Sequence, residues 1–411
     1  MNTFEKLTAP LNAFLKGKDT QIDEESDSRT LFFSDFVLKL VYSVVMQISS
    51  LRLLISEFQT SPTASALGFS ATAYSTFRDG FSRFAPCYFK KAFLHVLSSY
   101  NWMRLEFIDE MGLIKLVDGS LFPTLRSMDW ADYKKTKKSI RLHLEFDLNR
   151  MIPTEFIAEK ANSSERTFLA SILRKGMTYV ADRGYFSFKL GNTIKNAKAF
   201  LVMRVKSNLK LTILKSLEFS TGQEKLPDCF KNFSDQIILF SNDRFKQEYR
   251  LVKFSVLQSD FIICTNRFDL TSLQIIMLYA YRWQIELLFK FLKRTLNGIH
   301  LFNNSENGVN IQFYIFMIVI ILELRLKQIC QQKFAQTLES KKEQEEKEQK
   351  QKENENTKSR QYTEISPEQW IKAIAKPFYS HWKIGIHWLC HLKNLIHREF
   401  DNDVIKNLTA H

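Results

Sequence analysis

The chain has 411 residues, 45% of them hydrophobic, and carries 58 Lys plus Arg against 44 Asp plus Glu, a net charge of +14 at pH 7. That hydrophobic share excludes a disordered chain, the length allows two or three domains, and the basic balance points to a polyanionic partner. The cysteines at 87, 229, 264, 330 and 390 form no C-x-x-C, which argues for a reducing intracellular setting over a disulfide framework. With neither G-x-x-x-x-G-K-[ST] nor G-x-G-x-x-G in the text, no nucleotide cofactor is expected.

The first residues lack the long apolar core of an export signal. The first hundred read as helical: apolar residues recur at helical spacing from Ser34 to Phe58 and again from about Lys90 to Met103. Between them a short helix, a turn at Gly68 and a second helix after Ser70 outline a helix-turn-helix, with Ser75, Thr76, Arg78 and Arg83 set to reach bases and phosphates. A plain helical bundle with a glycine turn gives the same text.

After Glu106 the pattern alternates, and strands are expected over 111–122, 139–149 and 151–159 as an antiparallel meander. A helix, the buried strand ending at Asp182, another helix and the strand Ala199–Val205 follow, so the core reads as mixed α/β. Residues 206–260 are strand-rich, as in an inserted β subdomain, and one more strand precedes a long helix. The apolar run Ile311–Leu326 is broken by Gln312, Glu323 and Arg325 and reads as a buried core helix, not a membrane span. Residues 339–360 hold seven acidic, seven basic and no apolar side chains, a solvated helical spacer or tether. Trp370, Phe378, Trp382 and Trp388 then supply the apolar mass of a helical tail.

Asp118 and Asp182 each close an apolar strand run, where a carboxylate emerges into a cleft. Taken singly, each reads more readily as the start of a turn. A third element changes that reading. Tyr279, Arg282, Glu286 and Lys293 fall within about 60° of arc on one helix face, joined by Trp283 and Lys290, while Ile285, Leu288, Phe289 and Leu292 cover the other side. One carboxylate thus stands alone among cationic and aromatic groups. Three carboxylates from two strand ends and a helix suit Mg²⁺ or Mn²⁺, held by few protein oxygens and completed by water and substrate phosphate. Two such ions about 3.5–4 Å apart support in-line displacement at phosphorus. His381, His387, Cys390, His391 and His397 cluster near the C-terminus, but fit an amphipathic packing helix better than a zinc site.

The Y-x2-R-x3-E-x6-K spacing of Tyr279, Arg282, Glu286 and Lys293, with KLVDGSLF around Asp118 and ADRGYFSF around Asp182, resembles the DDE transposases of insertion sequences. The resemblance runs from about Arg29 to Leu326. It implies a ribonuclease-H-like mixed-sheet core (106–330) with a β-strand insertion (about 206–260). A helical domain that binds DNA ends (1–105) precedes it, and a charged linker (331–360) and a helical C-terminal region (361–411) follow. Asp118, Asp182 and Glu286 are implied as catalytic metal ligands, and Tyr279, Arg282, Trp283, Lys290, Lys293, Arg183 and Arg78 as DNA contacts. The partners implied are transposon-end and target DNA and a second copy of the chain in the synaptic complex, with no membrane, in a bacterial cytoplasm at the nucleoid. The expected reaction is metal-dependent cleavage at terminal inverted repeats and strand transfer, through a hairpin with a flipped base. Relatives hold that base on an aromatic from the β insertion, commonly Trp; this insertion has none, leaving Phe233, Phe240, Phe245 or Tyr249. The alternatives are a ribonuclease-H-like nuclease without strand transfer and an inactive DNA-binding relic.

Overall fold

The computed structural model describes residues 1–22, 30–123, 128, 130, 132–134, 137–221, 230–256, 259–298, 301–349 and 392–409. The chain forms two compact units, an α/β unit over Met103–Lys290 and a helical unit that joins Met1–Trp102 to later parts of the chain.

In the helical unit, α1 (Thr3–Leu15), α2 (Lys18–Ile22), α3 (Phe33–Val45), α4 (Leu51–Thr60), α5 (Pro62–Ala66), α6 (Tyr74–Arg83) and α7 (Pro86–Ser98) pack with α13 (Glu306–Gln349) and α14 (Asn402–Thr409). The single helix expected from Ser34 to Phe58 is two, because Gln47 adopts a φ of 55° and Ser50 caps α4 by accepting from Leu53 N–H. The turn expected at Gly68 is present with a φ of +79°, the region glycine occupies at no steric cost. Helix α6 starts at Tyr74, later than expected, since buried Thr72 is held in the preceding extended segment by Lys39 Nζ at 2.5 Å. The phenylalanines Phe33, Phe36, Phe77, Phe81, Phe84 and Phe89 fill the space between α3, α6 and α7 with edge and tilted ring contacts. Within α13, Glu306–Phe334 is apolar and long enough to cross a membrane, yet 83% of its most apolar window is buried within the protein. It is the core helix of this unit, and it continues to Gln349 through the first part of the charged segment. Residues 350–391, with most of the expected tail and its His/Cys cluster, lie outside the described residues; His397 is exposed.

The α/β unit begins with α8 (Glu106–Asp109) and holds β1 (Leu113–Pro123), β2 (Asp132–Lys134), β3 (Lys137–Asp147), β4 (Ile152–Lys160), α9 (Glu165–Ser171), β5 (Met177–Ala181), α10 (Phe188–Asn196) and β6 (Phe200–Arg204). Strand β3 pairs antiparallel with both β1 and β4, and β1, β5 and β6 are successive parallel neighbours. The order β4-β3-β1-β5-β6, three antiparallel strands followed by two parallel crossovers, is the ribonuclease-H-like sheet. Buried Lys115 ion-pairs with its register partner Asp147 at 2.8 Å and locks β1 against β3 three residues before Asp118. The insertion strands β7 (Leu211–Leu217), β8 (Phe230–Phe240) and β9 (Glu248–Val256) do not stand apart: through β10 (Ser259–Thr265), antiparallel to β6, they extend the same sheet. Buried Arg250 of β9 ion-pairs with Asp235 of β8 at 2.6 Å, and Ser272 Oγ donates to Asp235 Oδ2 at 2.6 Å. That network fixes the start of α11 (Ser272–Tyr281), capped by Thr271 and Gln274, to the insertion. Helix α12 (Trp283–Gly298) follows directly.

Candidate active site

The register of two parallel strands sets the first two carboxylates side by side. Val117 of β1 pairs with Ala181 of β5, so Asp118, inside β1, and Asp182, the residue after β5, stand at the same level of the sheet, where the parallel pairing ends. Asp118 is thus not at a strand end, because β1 continues to Pro123 along β3. Asp118 Oδ1 accepts the Gly119 N–H at 2.8 Å, which fixes its rotamer.

The third carboxylate arrives on α12. The one continuous helix expected across Tyr279–Lys293 is tightened at Arg282, where Arg282 N–H donates to Tyr279 O and Ile285 N–H to Arg282 O, both at 3.2 Å. These i, i+3 bonds mark a local 3₁₀ turn between α11 and α12. The helix face survives it: Ile285, Leu288, Phe289 and Leu292 are buried, and Trp283 and Lys290 are exposed. From this face Tyr279 Oη donates to Asp182 Oδ1 at 3.1 Å. Arg282 bridges the other two acids, 2.7 Å from Glu286 Oε1 and 3.6 Å from Asp118 Oδ2. The Arg282 guanidinium stands 5.7 Å from the centre of the Tyr279 ring and joins the two pairs into one cluster.

Burial pushes the Asp118 carboxyl up to about 6; Glu286 and Glu165 reinforce the shift, while Arg282 and the Gly119 N–H oppose it. Burial also raises the Tyr279 hydroxyl, so it remains a donor to Asp182. Among the described residues no three His, Cys, Asp or Glu side chains gather closely enough to hold a metal ion by themselves; Arg282 and Tyr279 space the acids. Their chemistry nonetheless fits a divalent cation. Asp118 and Glu286 already converge on one cationic group, and their hard oxygens are the donors Mg²⁺ and Mn²⁺ take.

The remaining sites named from sequence distribute around this cluster. Lys290 Nζ stands 4.8 Å from the centre of the exposed Trp283 ring. Lys293 lies half-buried farther along α12, outside the α/β unit. Arg183 is exposed beside Asp182 and, with Arg166 and Lys206, lines a pocket of about 260 Å³. Arg78 is exposed on α6 against Asp79, Ser75 is exposed and Thr76 half-exposed there, and Arg83 is tied to the Leu31 carbonyl.

Several side chains at the site are not among those the sequence singles out. Glu165 ion-pairs with Arg141 beside Gly119 and Gly184. His143 packs at Gly119 and stacks on Phe168, and burial pushes it down to about 4, so it is neutral at pH 7. A pocket of about 490 Å³ opens at Tyr279 and Asp182, walled by Phe230, Phe254, Phe261 and Arg204. These are not the aromatics picked from sequence. Phe240 and Tyr249 are core residues, packed on each other and on Phe186, while Phe233 sits against Phe219 and Phe245 under Arg244. The glycines after each aspartate were the signal available for Glu165, since a glycine there leaves space for another group.

Residues 111–322 match the model of the transposase DDE domain. The chain belongs to that family. It is 27% identical over 215 residues to the putative transposase y4zB of Sinorhizobium fredii, covering 51% of this chain and 60% of that one. To the probable transposase for insertion sequence element IS5377 of Geobacillus stearothermophilus it is 25% identical over 198 residues, 47% of this chain and 51% of the other. The chain thus spans about half to three fifths of these relatives. A piggyBac transposase synaptic complex with hairpin DNA aligns over 99% of this chain and 84% of that one, with a TM-score of 0.44 and 11% identity.

Proposed function

We propose that this DDE-family chain is an insertion-sequence transposase that cleaves DNA at the element's terminal inverted repeats and joins the freed 3′ ends to target DNA. The observation that carries the reading is the pair of contacts Tyr279–Asp182 and Arg282–Asp118–Glu286, which ties carboxylates from β1, the end of β5 and α12 to one helix face.

Asp118, Asp182 and Glu286 would hold Mg²⁺ or Mn²⁺, two ions in this reading. When bound, these supply activation of a water or 3′-hydroxyl and neutralisation of the leaving oxygen. The chain's own groups do the rest. The Gly119 N–H and Tyr279 hydroxyl orient the two aspartates, and above about pH 6 Asp118 is ionised and so serves as a ligand, not a proton donor. Arg282, Trp283, Lys290 and Lys293 line about 16 Å of helix for successive backbone phosphates, with Arg183 beside Asp182. The pocket walled by Phe230, Phe254 and Phe261 offers π-faces on which an unstacked base can rest. Helix α6, with Ser75, Thr76 and Arg78, reads the repeat. Synapsis of two ends calls for a second copy of the chain.

The test is incubation of the protein with DNA carrying both flanking ends of its own reading frame, with and without Mg²⁺, resolved on a denaturing gel. Metal-dependent nicks at the repeat boundary together with joined products support the proposal. Nicks without joining point to a nuclease, and end binding without nicks to a relic; either overturns it.

A further inference from the structure

Glu165 opens α9, and its two carboxylate oxygens reach the backbone beside both aspartates. A Cβ built on Gly119 lies 3.3 Å from Glu165 Oε1, and one built on Gly184 lies 3.2 Å from Oε2. Gly119 follows Asp118 directly and Gly184 stands two residues past Asp182, so the two missing side chains leave the space this carboxylate occupies. Arg166 Nε, the next side chain, donates to the Gly184 carbonyl at 3.1 Å and holds the first turn of α9 in place. The counter-charge is Arg141 of β3, itself anchored by its Nε on the Ala161 carbonyl at 2.9 Å. Asp118 is therefore flanked by two arginine–glutamate pairs, Arg282–Glu286 and Arg141–Glu165.

Tyr185 gives an independent sign of a ligand. It is 1% exposed, and its hydroxyl has no hydrogen-bond partner among the described residues. The charges acting on that hydroxyl are Asp118, Glu165, Arg141 and Asp182. A buried donor left without an acceptor is costly and rare, and this one lies in the field of the carboxylates that would close on a cation.

We propose that Glu165 is a fourth carboxylate of the reaction site, taking a divalent cation jointly with Asp118, with the Tyr185 hydroxyl donating to the carboxylate oxygens so drawn together. The proposal rests on the metal-binding reading of Asp118 above. A cation shared between Asp118 and Glu165 substitutes for the guanidinium that Glu165 now faces, so no uncompensated charge is left at the acids.

The experiment is Mn²⁺ titration of the full chain without DNA, following the electron paramagnetic resonance signal of the free ion. Wild type is compared with E165Q, E165D and D118N, and each variant's thermal melt is recorded in EDTA. E165Q is expected to weaken Mn²⁺ binding about tenfold or more, D118N likewise, and E165D to recover part of the loss. A purely structural Glu165 would lower the melting temperature of E165Q and leave its Mn²⁺ affinity at the wild-type value. If E165Q binds Mn²⁺ as wild type does while D118N fails to, the Glu165 proposal falls and the reading of Asp118 stands. If D118N also binds normally, both fall.

Discussion

The Tyr279 hydroxyl donates to Asp182 Oδ1 across 3.1 Å, 97 residues apart in the chain. It is the contact by which a helix beyond the β insertion orients a carboxylate at the end of a core strand. Y279F keeps the ring and removes only that donor. The variant should lose about 1 kcal/mol of stability and cleave about tenfold more slowly, with end affinity in EDTA unchanged. Thermal melts, binding isotherms and single-turnover cleavage check this; cleavage at the wild-type rate would separate Tyr279 from the orientation of Asp182.

Arg282 serves two charges at once, Glu286 at 2.7 Å and Asp118 at 3.6 Å. R282A should weaken binding to DNA of any sequence and lower the slope of log K against log salt by about one unit. Because Arg282 is the charge that holds Asp118 down, the same variant should shift the acid limb of metal-dependent cleavage to higher pH. A salt slope equal to wild type would remove Arg282 from the phosphate contacts.

Asp118 titrates near 6 in the folded chain against 3.8 for an ordinary aspartate, chiefly through burial. The folded state thus takes up a proton that the unfolded state releases, and this group's contribution to stability is complete below about pH 4 and lost as pH rises through about 6. D118N carries no such charge. In EDTA at pH 7.5 it should melt a few degrees above wild type, and the gap should close by pH 4. His143, pushed down to about 4, acts with the opposite sign but equally in both proteins. A gap that persists at pH 4 would place the effect elsewhere than in the Asp118 charge.

The sequence carried the position of Asp182 just past the end of β5 because its apolar run stops there, and the helix face of Glu286 because spacing alone defines it. Asp118, expected at a strand end, lies inside β1, which continues to Pro123 along β3. The sequence also carried the meander and the mixed α/β continuation, since both have two-residue or buried-strand patterns. Pairwise packing left no such mark. Which phenylalanine is core and which lines a pocket depends on strand register: Phe240 sits on the buried side of β8 and Phe254 faces Phe261 of β10 at 5.2 Å. The break of α3 from α4 turned on one positive φ at Gln47, where glycine would have signalled it. Glu165 was silent because a lone glutamate opening a helix is common, and only the two distant glycines distinguish this one.

Phe261 stacks on Phe254, carries Arg204 at 4.6 Å over its ring and lines the pocket beside Tyr279. F261A should weaken binding of ends carrying an unpaired terminal base by about 1–3 kcal/mol, with fully paired ends much less affected. Fluorescence of 2-aminopurine at the terminal position reports the stacking. Equal losses on paired and unpaired ends would assign Phe261 to the sheet and not to a base.

The most direct test of the central claim is end cleavage by E286Q beside wild type, on a labelled inverted-repeat fragment in Mg²⁺, with binding measured in parallel in EDTA. The Asp118–Arg282–Glu286 linkage predicts end affinity within a few-fold of wild type and cleavage reduced by at least about a hundredfold, with no joined product. Cleavage by E286Q at the wild-type rate would contradict the account; so would loss of binding and cleavage together, which would make Glu286 a structural partner of Arg282 alone.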